Sequence, residues 1–142
     1  MRELIVDGYN VVHSLPCLKK SQTLELARDR LIEILRGYAD SSGVSVTVVF
    51  DGAKDSESVL QGTPKVIFTK SSQSADSCIE QIVHSAINRA DICVVTNDSL
   101  HQQLVFGMGG FYMSTKAFAD EIENKVGELN EWITKHREGL SD

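Results

Sequence analysis

Five carboxylates stand where a fold could bring them together. Asp7 closes the apolar run that begins at Glu3, Asp51 closes Val44–Phe50, and Asp98 follows Ile92–Thr96 after one residue. Asp76 lies in the opening turn of a helical segment, and Glu80 falls four residues later on the same face. Carboxylates packed side by side repel one another, and a cation makes such crowding tolerable. Oxygen donors with no Cys or His spaced to join them suit Mg2+ or Mn2+ rather than zinc. Such a group supports metal-assisted hydrolysis, with one or two ions activating a water and stabilising a leaving oxygen. No side-chain nucleophile is then needed, in keeping with the absence of a Ser/His/Asp arrangement. Each acid also has a plainer role open to it. An Asp after a strand caps a helix or forms a turn, Asp76 suits a helix dipole, and Glu80 suits a solvated surface.

Whether the acids meet depends on the elements that carry them. Glu3–Asp7, Val44–Phe50, Lys65–Thr69, Ile92–Thr96 and Phe111–Ser114 read as strands, being short, apolar and rich in β-branched residues. Leu24, Ala27, Leu31, Ile34, Leu35 and Tyr38 follow helical spacing from Thr23, with Gly43 as the stop. Ser74 reads as the N-cap of a second helix running to about Arg89, and Ser99 with Gln102 resembles a capping box for a short third one. A last helix is expected over about 116–138, with Trp132 and Ile133 near its end. Residues 8–22 and 52–64 read as loops, the latter mobile. Apolar strands alternating with helices imply an α/β three-layer sandwich around a central parallel sheet of about five strands, in a single domain over 1–142. In such a sheet all strand carboxyl ends and the following helix starts share one edge, where ligands bind. Asp7, Asp51, Asp76 and Asp98 therefore converge on one rim.

The bulk numbers fit a globular chain with its own core. Hydrophobic residues make up 42% and charged residues 24% of the 142 positions. No apolar run approaches the roughly 18 residues of a membrane span. The N-terminus turns acidic after three apolar residues, unlike a secretory leader, so a cytoplasmic location is expected. Cys17, Cys78 and Cys93 lack zinc spacing and are expected to be reduced and mostly buried. His13, His84, His101 and His136 lack ligand spacing to one another, although His84 lies four residues from Glu80. The net charge of −6 argues against phosphate binding at first. Setting the five clustered acids aside leaves the rest close to neutral, and a bound cation removes most of the objection.

Taken in order, Asp7-Gly8-Tyr9-Asn10 with Val11-Val12-His13, then Val48-Val49-Phe50-Asp51-Gly52, Phe68-Thr69, Ser74-Ala75-Asp76-Ser77 with Ile79-Glu80, and Val95-Thr96-Asn97-Asp98 with Gln102 resemble the NYN domain. More specifically they resemble its YacP-like branch, within the PIN-like nuclease superfamily. The match runs over roughly residues 3–118. It implies a PIN-like fold and a Mg2+-dependent endoribonuclease, with Asp7, Asp76 and Asp98 as metal-binding acids, Asp51 and Glu80 as supporting catalytic members and Asn10 as a polar helper. The segment Ala53–Ser58 departs from the branch in being short and mixed in charge, and Asn97 replaces the small residue that often precedes the acid.

RNA is the expected partner. Tyr9 could stack on a base, Asn10 could hold a carboxylate or a phosphate, and Lys19, Lys20, Lys54, Lys65 and Lys70 could hold the backbone. Packing, turn formation and simple solvation are the respective alternatives. So acidic a chain is expected to borrow specificity from a partner, such as a larger ribonucleoprotein assembly that presents the substrate. Two other classes compete: a non-catalytic RNA-binding module, and a receiver-like phosphorylation switch using Asp7, Asp51, Thr96 and Lys116. A receiver needs adjacent acids after its first strand and a further strand between Asp7 and Asp51, and neither is present.

Overall fold

The computed structural model describes residues 1–124 of the chain. The apolar runs become strands because their side chains can be buried on both faces of a parallel sheet. In β1 (Glu3–Asp7), Leu4 and Val6 enter one core while Ile5 enters the other. The first core lies under α1 (Gly8–Ser14), α2 (Pro16–Lys19), α3 (Leu24–Ser42) and a helix over 115–124 that buries Phe118 and Ile122. The second lies under α4 (Ala75–Ser85) and α5 (Ser99–Gly107), with Ile79, Val83 and Val105 fully buried. The α/β three-layer sandwich read from the sequence is thus the architecture found.

The sheet has six strands rather than five, in the order β3-β4-β2-β1-β5-β6. Here β2 is Ser45–Phe50, β3 Ser58–Leu60, β4 Lys65–Phe68, β5 Ile92–Val95 and β6 Phe111–Met113. All neighbours are parallel except β3, which runs antiparallel to β4 with Val59 opposite Ile67. Strand β3 falls in the 52–64 segment expected to be loop. Its three residues are all exposed, so no burial pattern announces it and pairing with β4 alone holds it. Residues 8–22 are not a loop either. Val11, Val12, Leu15 and Leu18 are buried under α3, and that packing stabilises helices too short to form in isolation.

Local signals fix the other boundaries. Thr23 caps α3 through its side chain, and Gly43 ends it at φ 72° in the left-handed region. Ser74 caps α4 by accepting from the Ser77 N–H. This helix stops at Ser85, short of Arg89, and Arg89–Asp91 make a 3-10 turn. The last helix starts at 115, and the rest of its expected span, including Trp132 and Ile133, lies outside the described residues. Cys78 and Cys93 are buried and Cys17 is exposed, contrary to a mostly hidden set only at that position. Burial pushes the Cys93 thiol up to about 11, which keeps it unreactive. Among the described residues no helix is long and apolar enough to cross a membrane.

From β1 the chain steps outward to β2 and β4, then returns to β5 on the other side of β1. The direction of winding reverses between β1 and β5, and the crevice beyond their carboxyl ends is where such folds bind ligands. Asp7 ends β1 and Asp98 lies just past β5, one on each side of that crevice.

Candidate functional site

Asp7 and Asp76 come together. Asp7 ends β1 and Asp76 sits in the first turn of α4, and both line one cleft, near enough for the charge and hydrogen bonding of Asp76 to bear on Asp7. Asp7 is pushed up to about 7 from an ordinary 3.8, first by burial, then by the Asp76 charge and that hydrogen bonding, with Asp51 adding to the repulsion. The nearby Asn10 N–H works in the other direction, although Asp7 makes no capping hydrogen bond of strict geometry to α1. Burial beside other carboxylates makes the Asp7 charge costly, and a cation could offset that cost.

Asp51 belongs to the same group but has a structural duty. Its Oδ1 accepts from the Ala75 N–H at 2.7 Å, which ties the end of β2 to the start of the helix carrying Asp76. Asp98 is committed further. It is the N-cap of α5, with Oδ1 accepting from the N–H groups of Leu100 (3.0 Å) and His101 (3.3 Å). The cap therefore lies one residue before the expected Ser99, because a carboxylate is at least as good an acceptor for these donors. Gln102 does not complete a capping box, since its amide donates to the Thr96 carbonyl at 2.6 Å.

One side chain in the site goes unannounced by the sequence. His101 is buried, its Nδ1 lies 3.5 Å from Asp76 Oδ1, and its Nε2 lies 4.0 Å from Glu80 Oε1. Glu80 thus joins the group through histidine and not by contact with Asp7. His84 stays outside: its ring and carbonyl meet Arg89 beyond the end of α4. Asn10 and Asn97 work as a brace. The Asn10 Oδ1 accepts from the Asn97 N–H (3.0 Å), while the Asn97 side chain reaches Ser14 and the Thr115 N–H. The larger residue before Asp98 thereby links β5, α1 and the last helix.

A cleft of about 260 Å3 opens over Asp7, Asn10, His13, Asp51 and Asp76. Tyr9 and Asp51 also line a larger groove of about 540 Å3 beside it. Tyr9, Phe68 and Arg28 line that groove over the buried Phe50, which meets Tyr9 at a tilt (5.0 Å) and stacks on Phe68 (5.5 Å), with the Arg28 guanidinium 5.1 Å over Phe68. Gly8 makes the first contact possible, since a Cβ there would stand 2.3 Å from the Phe50 ring. Lys54 lines the groove, as does the acidic Glu25. Of the other lysines read as RNA contacts, Lys65 starts β4 and borders a recess with Gly43 and Ser45, at the opposite rim of the sheet. Lys70 lines a recess with Glu57 and Gln73, and Lys19 and Lys20 are exposed at the end of α2, in neither cleft.

The model of the YacP-like NYN domain matches residues 4–141. The chain belongs to the YacP-like NYN domain family. Among its relatives, the uncharacterized protein YacP of Bacillus subtilis (strain 168) is 36% identical over an alignment 143 positions long that takes in 93% of this chain and 81% of that protein. Two crystal structures of Rae1 (YacP) from Bacillus subtilis match the fold. One, of a point mutant, gives a TM-score of 0.86 at 33% identity over 97% of this chain and 85% of the other. The second gives 0.84 at 32% identity over 99% and 84%.

For a domain of this nuclease-like, PIN-related kind, the donor set has to be weighed against a metal. No group of three acid, His or Cys donors stands ready to enclose an ion among the described residues. Mg2+ does not need one, because it keeps several waters and takes one or two carboxylates together with substrate phosphates. Asp7 and Asp76 in this NYN domain meet that requirement, since they line one cleft and burial with neighbouring carboxylates leaves the Asp7 charge poorly compensated. The residues fit the ion.

Proposed function

We propose that this YacP-like NYN domain is a Mg2+-dependent endoribonuclease that hydrolyses RNA phosphodiester bonds, with Mn2+ able to substitute. The observation that carries it is the placement of Asp7 and Asp76 in one cleft at the carboxyl end of the sheet. When bound there, the ion would lower the pKa of a coordinated water and offset charge on the phosphate and leaving oxygen. Asp7 and Asp76 supply the anionic pocket. Asp51 sets the start of α4 and with it the direction of Asp76. Asp98 sets the start of α5, with Oδ2 left for a second task at the crevice, and Glu80 borders the far side. The setting proposed is cytoplasmic, with a larger ribonucleoprotein assembly presenting the RNA, because the chain's net charge of −6 supplies little attraction of its own.

Labelled single-stranded RNA incubated with the protein tests this directly. Internal cleavage is expected with Mg2+ or Mn2+ and none with EDTA. Asp76→Asn is expected to lose at least about a hundredfold in rate, since even outer partners of a metal ligand cost ten- to a hundredfold. Cutting that survives both Asp76→Asn and EDTA would defeat the proposal. RNA binding with no cutting in any metal would favour a binding module instead.

The groove beside the cleft gives the RNA strand a path. The half-buried Tyr9 ring offers stacking to a base, and Arg28 and Lys54 offer charge to the backbone, within reach of the acids through Tyr9 and Asp51. Removing one phosphate contact lowers the salt dependence of binding by about one unit in the log–log slope. Arg28→Ala is expected to do this and to weaken RNA binding, with Lys65→Ala at the opposite rim as the unaffected control. Equal effects of the two substitutions on titrations at several salt concentrations would rule out this path.

A further inference from the structure

His101 carries the only buried side-chain polar atoms among the described residues that have no hydrogen-bond partner, and both of its ring nitrogens are in that state. Its side chain is only 3% exposed. A buried ring of this shape would be cheaper as a hydrocarbon, because an unmet donor or acceptor bears its desolvation without return. The two nitrogens are not aimed at random. Nδ1 stands 3.5 Å from Asp76 Oδ1 and Nε2 4.0 Å from Glu80 Oε1, on two acids one helical turn apart on α4. Each distance is just too long for a good hydrogen bond and short enough for a small side-chain rotation to make one. The backbone of the same residue is already fixed, since its N–H donates to Asp98 Oδ1. One residue thus stands against three of the five acids, Asp76 among them, which shares a cleft with Asp7.

We infer that His101 is a positioning residue for the metal site: its imidazole hydrogen-bonds to the Asp76 carboxylate, with Glu80 on its other side, and holds Asp76 in the orientation that binds a divalent cation with Asp7. Ligating carboxylates are usually held in this way by a second group, and loss of that group costs metal affinity rather than the fold. The role presupposes the metal-dependent chemistry proposed above. It does not make His101 a ligand, because the ring is closed off from solvent and does not line the cleft.

Mn2+ binding to the full chain, measured by calorimetry or by the loss of the free-ion paramagnetic resonance signal, tests the role without any substrate. His101→Leu keeps the bulk and removes both nitrogens, and it is expected to weaken Mn2+ binding by about 10- to 100-fold with a near-native circular dichroism spectrum. Asparagine places its amide nitrogen near the position of Nδ1, and glutamine places its own near Nε2. His101→Asn is therefore expected to bind Mn2+ roughly fivefold more tightly than His101→Gln, the difference that one hydrogen bond makes. A folded His101→Leu protein with wild-type Mn2+ affinity would overturn the role. Should that variant not fold, equal affinities of the Asn and Gln variants would overturn it instead. Asp76→Asn in the same titration separates the two levels of inference. If it also leaves Mn2+ affinity unchanged, the metal site itself fails; if it abolishes binding while His101→Leu does not weaken it, only the role of His101 fails.

Discussion

Asp7→Asn is expected to abolish RNA cleavage and, with no metal present, to make the protein more stable at pH 8. The two effects share one cause. The Asp7 carboxyl is pushed up to about 7 from 3.8, chiefly by burial and then by Asp76, so at pH 8 the fold must accommodate a poorly solvated charge beside a second one. The sign follows from linkage. Between about pH 4 and 7 the folded protein keeps a proton that the unfolded chain has already released, so stability falls as pH rises through that window, and the penalty is complete above it. At about 1.4 kcal/mol per pKa unit the penalty comes to a few kcal/mol. Asparagine has nearly the same shape and no charge to desolvate. Its gain in melting temperature is expected to be on the order of 5–10 °C at pH 8 and to shrink toward pH 4. Mg2+ should reverse the order by stabilising the wild type through binding to the folded state alone, with much less effect on the variant. Thermal melts from pH 4 to 9, with and without Mg2+, follow both effects. A metal-free Asp7→Asn protein that melts lower than wild type at pH 8 would mean that the carboxylate is structural.

The positions of the acids at the sheet edge were legible in the sequence, while the duties of several were not. The apolar runs before Asp7 and Asp51, and the one just before Asp98, define strands by composition alone, and parallel topology then fixes which end each acid occupies. The same rule was available for Lys65, since a residue that starts a parallel strand lies at the rim opposite the one that ends it. The work done by Asp98 was not legible, because an aspartate that caps a helix and one that binds an ion look alike until the N–H groups of Leu100 and His101 are placed. His101 lies 25 residues from Asp76 with no pattern joining them. Its direction depends on the rotation of α5, which is set by the burial of Val105 against the sheet. Arg28 is one of several polar positions on α3 until Phe68 supplies a ring beneath it. Strand β3 and helices α1 and α2 were missed for a similar reason: each is too short to state its own periodicity and exists through what it packs or pairs with.

Gly52→Ala is expected to be the most damaging single methyl in the described part of the chain. A Cβ at this position would stand 1.9 Å from the Thr69 carbonyl oxygen and 3.0 Å from its carbon. Those are backbone atoms, and they cannot turn aside as a side chain would. The seam is closed on both sides. The Gly52 N–H donates to Thr69 Oγ1 at 3.2 Å, that hydroxyl donates to the Gln73 carbonyl at 2.8 Å, and the Thr69 N–H donates to the Phe50 carbonyl at 3.0 Å. Relief requires separating the ends of β2 and β4. Overpacking of this kind costs about 1–3 kcal/mol where neighbours can yield and more where they cannot, a large share of a total stability of about 5–15 kcal/mol. Gly37→Ala is the matched control. It adds the same methyl to α3 where nothing lies within 4 Å, and it should gain about 0.5–1 kcal/mol from helix propensity. The damage at Gly52 should also reach the chemistry, because the adjacent Asp51 holds the Ala75 N–H and through it the turn that carries Asp76. Urea unfolding of both variants and a Mn2+ titration of Gly52→Ala at low temperature would show the two losses together. A Gly52→Ala protein within about 1 kcal/mol of wild type, below the range for overpacking, would mean that the seam yields and that Asp76 is held by something else.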